Sequence, residues 1–479
     1  MTKPLWMLPP GCEILLGPAE AADSITVALL DAVEPEHAPR ARNASEQLLF
    51  HHLYETLIIV NCLDKVQPGL AESWRREERG RCWTFELRED ARFWDGTPVT
   101  AHDVARSWER AADESMTLNA GIDSYSAAGI DSLAVGGDRV LNVYFKHMHR
   151  KVPRALSASA FAVAKPSWAS RWPLGSGPYR IVTSERRFAG IAKRTITVHP
   201  AYGAERPVVR FLETSMYDAR DLLEGGIDVM ITTDPAVIEY ATSRPQFTTV
   251  PLPWDRAYVL LSTSRVEKLR WGGKLGTISP DLSERLARDA VRGDARGYRP
   301  PSWWDDLHNE CYELSAAVSD FPPVPEGPYS LSDLRRILYD SNDPIARDLA
   351  ERIVALAATD PTVSPEARAI AFAVPGLGSD APGVIAEGVT EGELLSSLLN
   401  GSDFAYIISI PRRPPDPCAE ARKLISSAQW LANLGDDFSK ALIPLVDTRL
   451  HVIAASGKIG LIADWYGNIL LVNVMPQGR

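Results

Sequence analysis

The sequence predicts a mixed α/β protein of two or three packed lobes. Segments of two-residue apolar period alternate along the chain with segments of helical period. At 479 residues the chain exceeds what one hydrophobic core supports. Its composition, 45 % hydrophobic and 24 % charged, is that of an ordinary globular protein, so the core stands without staples.

Residues 1–22 contain Pro and Gly without period and read as a leader or arm. The run from Ser24 to Leu30 predicts a strand entering a buried sheet. Helical spacing over Arg42–Val60 puts Leu49, Leu53 and Leu57 on one face. Cys82–Arg88 alternates as a strand, with Trp83, Phe85 and Leu87 on one side. Asp95-Gly96 then supplies a turn, and Thr100 with Asp103 forms a capping-box pair for a helix over Ala101–Ala112. Further strands are predicted at Val140–Phe145, after the Gly175–Pro178 turn, and at Thr195–Val198, Val208–Leu212, Gly226–Ile231 and Ala257–Leu261, with a short helix at Asp218–Glu224. Residues 265–328 show no clean period. Beyond them the pattern gives helices at 331–339, 344–358, 391–399 and 419–434, and strands at 370–374, 404–410, 449–455 and 469–474.

A net charge of -11 argues against a nucleic-acid partner. The five cysteines (Cys12, Cys62, Cys82, Cys311, Cys418) are odd in number and irregularly spaced. Buried free thiols are therefore expected, with at most one bridge, and no pair has zinc-site spacing. Met1–Met7 carries one Lys and is followed by Pro9-Pro10-Gly11-Cys12, so no secretory leader is visible. No apolar run approaches the roughly 18 residues of a membrane span.

Several stretches, in this order, are similar to the family 5 bacterial extracellular solute-binding proteins, the peptide/nickel class of ABC-importer receptors. They are Leu53-Tyr54-Glu55-Thr56-Leu57, Pro68–Trp74, Trp83–Arg88, Phe93–Val104 with Ser107–Arg110, Gly175–Tyr179, Gly225–Val229, Ile443-Pro444-Leu445 and Gly460–Gly467. The likeness is clear over roughly residues 24–262 and 440–479 and weak between. It implies a periplasmic-binding-protein-like α/β fold (type II, cluster C): two lobes around a hinged cleft plus an extra N-terminal lobe. Lobe I would combine 1–45, 174–255 and 440–479; lobe II, the extra domain, would be 46–173; lobe III would be 256–439. It implies capture of a peptide-like or other small solute between lobes I and III and delivery to a membrane permease. The protein would be a monomeric, non-catalytic periplasmic or extracellular receptor without cofactor. The alternative is a non-exported member of the fold, acting in the cytosol as a ligand sensor or repurposed enzyme.

In peptide-binding relatives an acidic residue of lobe III meets the ligand's amino terminus, within an Asp-Tyr-x-Asp/Glu-Pro stretch. The matching stretch here is Arg413-Pro414-Pro415-Asp416-Pro417, preceded by Arg412. An arginine in the aspartate's place departs from the pattern; its donor fork suits carboxylate or phosphate and points to an anionic solute. The bland alternative is a solvated loop end. Thr232 and Thr233 follow a strand where relatives put short polar groups against the ligand, although Asp234-Pro235 equally suits a helix cap. Trp254 and Tyr258 at the crossover, and Trp303-Trp304 beyond it, are candidate cleft walls, set against ordinary packing. His147 and His149 share a strand face, but flanking Arg150 and Lys151 disfavour a cation, and no metal site is expected. GxSxG, HExxH, GxGxxG and phosphate-loop patterns are absent from the sequence.

Overall fold

The computed structural model describes residues 13–15, 24–77, 80–117, 124–186, 194–201, 206–214, 218–262, 295–297, 302–305, 307, 311, 336–358, 385–400, 405–428, 430–431, 442–455 and 460–472. The predicted strand at 370–374 and most of the aperiodic 265–328 stretch lie outside the described residues. The principal strands, in chain order, are β1 (Ser24–Leu29), β2 (Tyr179–Arg186), β3 (Arg194–Pro200), β4 (Val208–Glu213), β5 (Val229–Thr232), β6 (Phe247–Pro251), β7 (Arg256–Ser262), β8 (Arg296–Gly297), β9 (Arg336–Asp340), β10 (Ile385–Val389), β11 (Ala405–Pro411), β12 (Leu442–Thr448) and β13 (His451–Ala455). The helices used below are α1 (Ala44–Leu53), α2 (Ala101–Thr117), α3 (Ala219–Glu224), α4 (Pro235–Thr242), α5 (Pro344–Ala358), α6 (Glu391–Asn400) and α7 (Pro417–Ser427). The chain divides into two compact units, Met1–Pro253 with Arg449–Arg479, and Trp254–Thr448.

The first unit is organised by a seven-stranded sheet of order β6-β13-β5-β1-β4-β3-β2. β1 lies between parallel neighbours β4 and β5, which explains its apolar run: a strand covered on both faces cannot alternate. A separate four-stranded antiparallel sheet has the order Ala71–Arg76, Cys82–Leu87, Val140–Phe145, Ile130–Gly137. Trp83, Phe85 and Leu87 are buried there, as their alternation predicts. α2 begins with the predicted reciprocal cap: Thr100 N donates to Asp103 Oδ2 (2.9 Å), and Asp103 N donates to Thr100 Oγ1 (3.3 Å). The buried core around Phe85, Phe93, Val104, Trp108 and Phe161 draws all its fully buried members from 57–163. A second core surrounds β1, α1 and β4.

Three elements differ from the periodicity. α1 is capped by Asn43, which accepts from Glu46 N (2.8 Å), but it ends at Leu53 rather than Val60. Ile58–Val60 is instead a strand paired with Val66–Pro68, because a β-branched run favours extended backbone. Gly69 permits this pairing: a Cβ there would sit 2.4 Å from the Thr56 carbonyl oxygen. The arm also contains a strand, since Glu13–Leu15 pairs with Gly460–Ile462.

His52 is a core histidine. Its Nδ1 lies 2.8 Å from Leu48 O, and its Nε2 accepts from Leu471 N (3.1 Å). Burial pushes its pKa down to about 3. With the folded value below the unfolded one, its contribution to stability is present above about pH 6.5 and is lost as pH falls towards 3. The urea midpoint is expected to fall over this window, and His52→Gln is expected to flatten the fall. Equal slopes for the two proteins between pH 7 and 4 would rule the assignment out.

The second unit carries a six-stranded sheet of order β8-β12-β7-β11-β9-β10. β12 pairs with β7 along its length, so residues 442–448 lie with this unit, whereas the sequence placed 440–479 with lobe I. The reason is burial: Leu442, Ile443, Leu445 and Val446 complete the apolar faces of this sheet. Residues 336–339, predicted helical, are β9. Ile337, Leu338 and Tyr339 are all buried between parallel neighbours, and such a run reads alike in a buried strand or helix. α7 stops at Ser427, short of the predicted Leu434; residues 432–434 are outside the described set.

The thiol expectation is corrected. Cys311 and Cys418 form a disulfide, closing a sequence separation of 107 residues, and Cys62 is also disulfide-bonded. Cys82 is a buried free thiol. Bridge partners far apart in sequence leave no local spacing signature.

Candidate functional site

In the first unit the parallel strands β4, β1 and β5 present their carboxyl ends together. A cavity of about 370 Å³ opens there, lined among others by Leu30, Thr214, Arg220, Asp234 and Val237. Strands leave β1 on both sides at this point, which is the place where open α/β sheets bind ligands.

Each wall is built by local chemistry. Thr214 is buried, and its hydroxyl donates to Leu29 O (3.0 Å). Asp218 caps α3 by accepting from Arg220 N (2.9 Å) and grips the Arg220 guanidinium at Nε (3.0 Å) and Nη2 (2.7 Å). These hydrogen bonds hold its carboxyl down at about 2. Thr232, also buried, accepts from Asp234 N (3.0 Å), and Asp234 accepts from Ala236 N (2.8 Å) to cap α4 behind Pro235. Thr233 lies half-buried between them. Arg220 and Thr214 were missed in the sequence. The position just past a parallel strand was the available signal.

In the second unit the structure brings together Trp254, Asp255, Trp303, Arg412 and Asp447 at one end of the sheet. Arg412 N donates to Asp255 O (2.7 Å), and Arg412 Nε donates to Asp447 Oδ2 (3.0 Å), with both side chains largely buried. The ion pair offsets the charge assigned to an anionic solute. Arg413 beside it is half-buried. Trp303 Nε1 donates to Pro411 O (2.8 Å). Trp254 lies against Gly297, where a Cβ would come within 2.9 Å of its ring. Asp255 Oδ1 is shielded and unbonded, and burial pushes the carboxyl up to about 6.

Three predicted residues stand apart from that group. Trp304 is 1 % exposed and packs in the core. Tyr258 belongs to the opposite layer, where its hydroxyl donates to Asp343 (2.9 Å). Asp416 caps α7 by accepting from Ala419 N (2.9 Å). Among the described residues no group of three or more His, Cys, Asp or Glu is placed to hold a metal ion. The His149 ring instead stacks edge-on to Phe145 at 4.6 Å.

Residues 65–262 match the family model described as bacterial extracellular solute-binding proteins, family 5 middle. Over this segment the chain is similar to the family 5 bacterial extracellular solute-binding proteins. The periplasmic oligopeptide-binding protein OppA of Salmonella typhimurium is 49 % identical to this chain over 61 residues, 13 % of this chain and 11 % of that protein's own length. Among solved structures, NikA from Brucella suis in complex with Fe(III)-EDTA is similar with a TM-score of 0.58 at 16 % identity, over 90 % of this chain and 95 % of that one. The Escherichia coli murein tripeptide binding protein MppA gives 0.57 at 16 %, over 95 % and 100 %. At these identities the structural likenesses show a shared fold and nothing further. Among the described residues no helix is long and apolar enough to cross a membrane.

Proposed function

We propose that the protein is the exported receptor of an ABC importer, which takes up a small peptide-like solute and passes it to a membrane permease without chemical change. The cavity at the carboxyl ends of β4, β1 and β5 carries the reading. It offers hydroxyl, guanidinium and carboxylate groups already held by caps and ion pairs, which suits hydrogen bonding to a polar solute. In the second unit the proposed solute contacts are Trp254, Trp303 and Arg413. The likeness to OppA and MppA favours peptides. The disulfide Cys311–Cys418 favours an oxidising compartment.

Native mass spectrometry of the protein from its own organism should release a small solute on denaturation. Titration of that solute into Arg220→Ala is expected to show about tenfold weaker binding, a loss of about 1.4 kcal/mol. An unchanged solute affinity in Arg220→Ala would remove this cavity from the reading. Conversion of the solute during incubation would replace a receptor with an enzyme.

A further inference from the structure

The first unit carries a larger groove, of about 770 Å³, with different walls. One side is the outer edge of the seven-stranded sheet, where β2 contributes Arg180, Ile181 and Val182. The other side is the turn holding Trp172 and Leu174, together with Trp94. Val182 is 49 % exposed although it sits mid-strand, which leaves apolar surface open on this edge.

The polar groups of the groove are unevenly committed. Arg171 is ion-paired with Glu36, and Arg194 is buried with its guanidinium beside Val33 O and Glu213. Asp95 is used twice by Thr97, from N (2.9 Å) and from Oγ1 (2.6 Å). Arg180 is exposed, and among the described residues its side chain makes no ion pair or hydrogen bond. Trp94 Nε1 is shielded from solvent without a hydrogen-bond partner. The indole is fixed in place: it packs on Tyr54 at 5.8 Å, and a Cβ at Gly175 would come within 2.6 Å of it. Among these groups the donor left open to a ligand is the Arg180 guanidinium, beside an aliphatic and aromatic surface. A fitting ligand has an anionic acceptor at one end and an apolar body at the other.

We propose that this groove is a second binding site, separate from the strand-end cavity, for an amphipathic carboxylate. The carboxylate meets Arg180, and the body lies against Trp94, Leu174, Ile181 and Val182. The chemistry is shared by free aliphatic acids and by the carboxyl end of an apolar peptide, so both probes are needed.

Octanoate and N-acetyl-phenylalanine are titrated into the full chain by calorimetry, with octanamide as the uncharged control. Saturable one-to-one binding is expected for at least one acid. Octanoate alone would assign free acids, and N-acetyl-phenylalanine alone a peptide end. Octanamide is expected to bind at least tenfold more weakly than octanoate. Arg180→Glu should weaken the acid at least tenfold, while Arg180→Lys recovers part of the loss and Arg220→Ala leaves binding unchanged. Arg180 is exposed, so these variants are expected to fold, and matching urea midpoints verify it. The proposal fails if neither acid binds, if Arg180→Glu binds like the parent, or if Arg220→Ala removes binding.

Discussion

Arg88→Met lowers the stability of the first unit by about 3–5 kcal/mol, the cost of leaving a buried carboxylate without its partner. Arg88 and Glu55 form a two-pronged pair at 3.0 and 3.1 Å, exposed by only 6 % and 7 %. Arg88 Nη1 also donates to Gly69 O (3.0 Å), so its loss strips a second buried acceptor. Burial already pushes the Glu55 carboxyl up, against the pull of Arg88. The double variant Glu55→Leu with Arg88→Met is expected to recover most of the loss, because an apolar pair removes the desolvation cost of both ions. Urea unfolding measures each protein. A single-variant loss below about 1 kcal/mol would show that solvent or protonation already relieves the Glu55 carboxylate.

Cys311→Ser with Cys418→Ser lowers the stability of the second unit by about 2–5 kcal/mol. The bond closes a long stretch of chain and joins the core near Trp304 and Leu307 to the first turn of α7. In the chain-entropy account a loop near 100 residues approaches about 4.7 kcal/mol, at the upper end of the range. Dithiothreitol, which also opens the Cys62 bridge, should bring the parent protein down to the level of the double variant measured in the same reductant. A parent protein insensitive to dithiothreitol, with a midpoint equal to that of the variant, would show that the bond contributes nothing to stability.

Local signals in the sequence led directly to local structure. Alternation at Trp83, Phe85 and Leu87, the Thr100–Asp103 pair and the Asp234-Pro235 cap each act within a few residues, so they survive without tertiary knowledge. β9 was read as a helix because three consecutive buried apolar residues satisfy either period. The strand that follows α1 pairs beside Gly69, whose close approach to Thr56 O leaves no signal in the helical period. Candidate site residues were read from position and not from partner. Thr232 and Arg412 were expected to face a solute; in the structure Arg412 meets Asp447 and Thr232 meets Asp234. The Arg412–Asp447 pairing is set by sheet register, with β12 against β7, and no spacing in the chain announces it.

The sheet order of the first unit also governs the order in which the chain can be finished. Among the described residues β6 has β13 as its sole sheet neighbour, and β13 also flanks β5. β13 is supplied by residues 451–455, after the whole of Trp254–Thr448. During synthesis the second unit therefore emerges in full while the first still lacks an interior strand. The apolar residues Val452, Ile453 and Ala454, all fully buried in the finished fold, are what the waiting sheet edge must receive. Until then that edge stands open beside a nascent chain, and the inserted unit has the opportunity to close before the unit that encloses it in sequence.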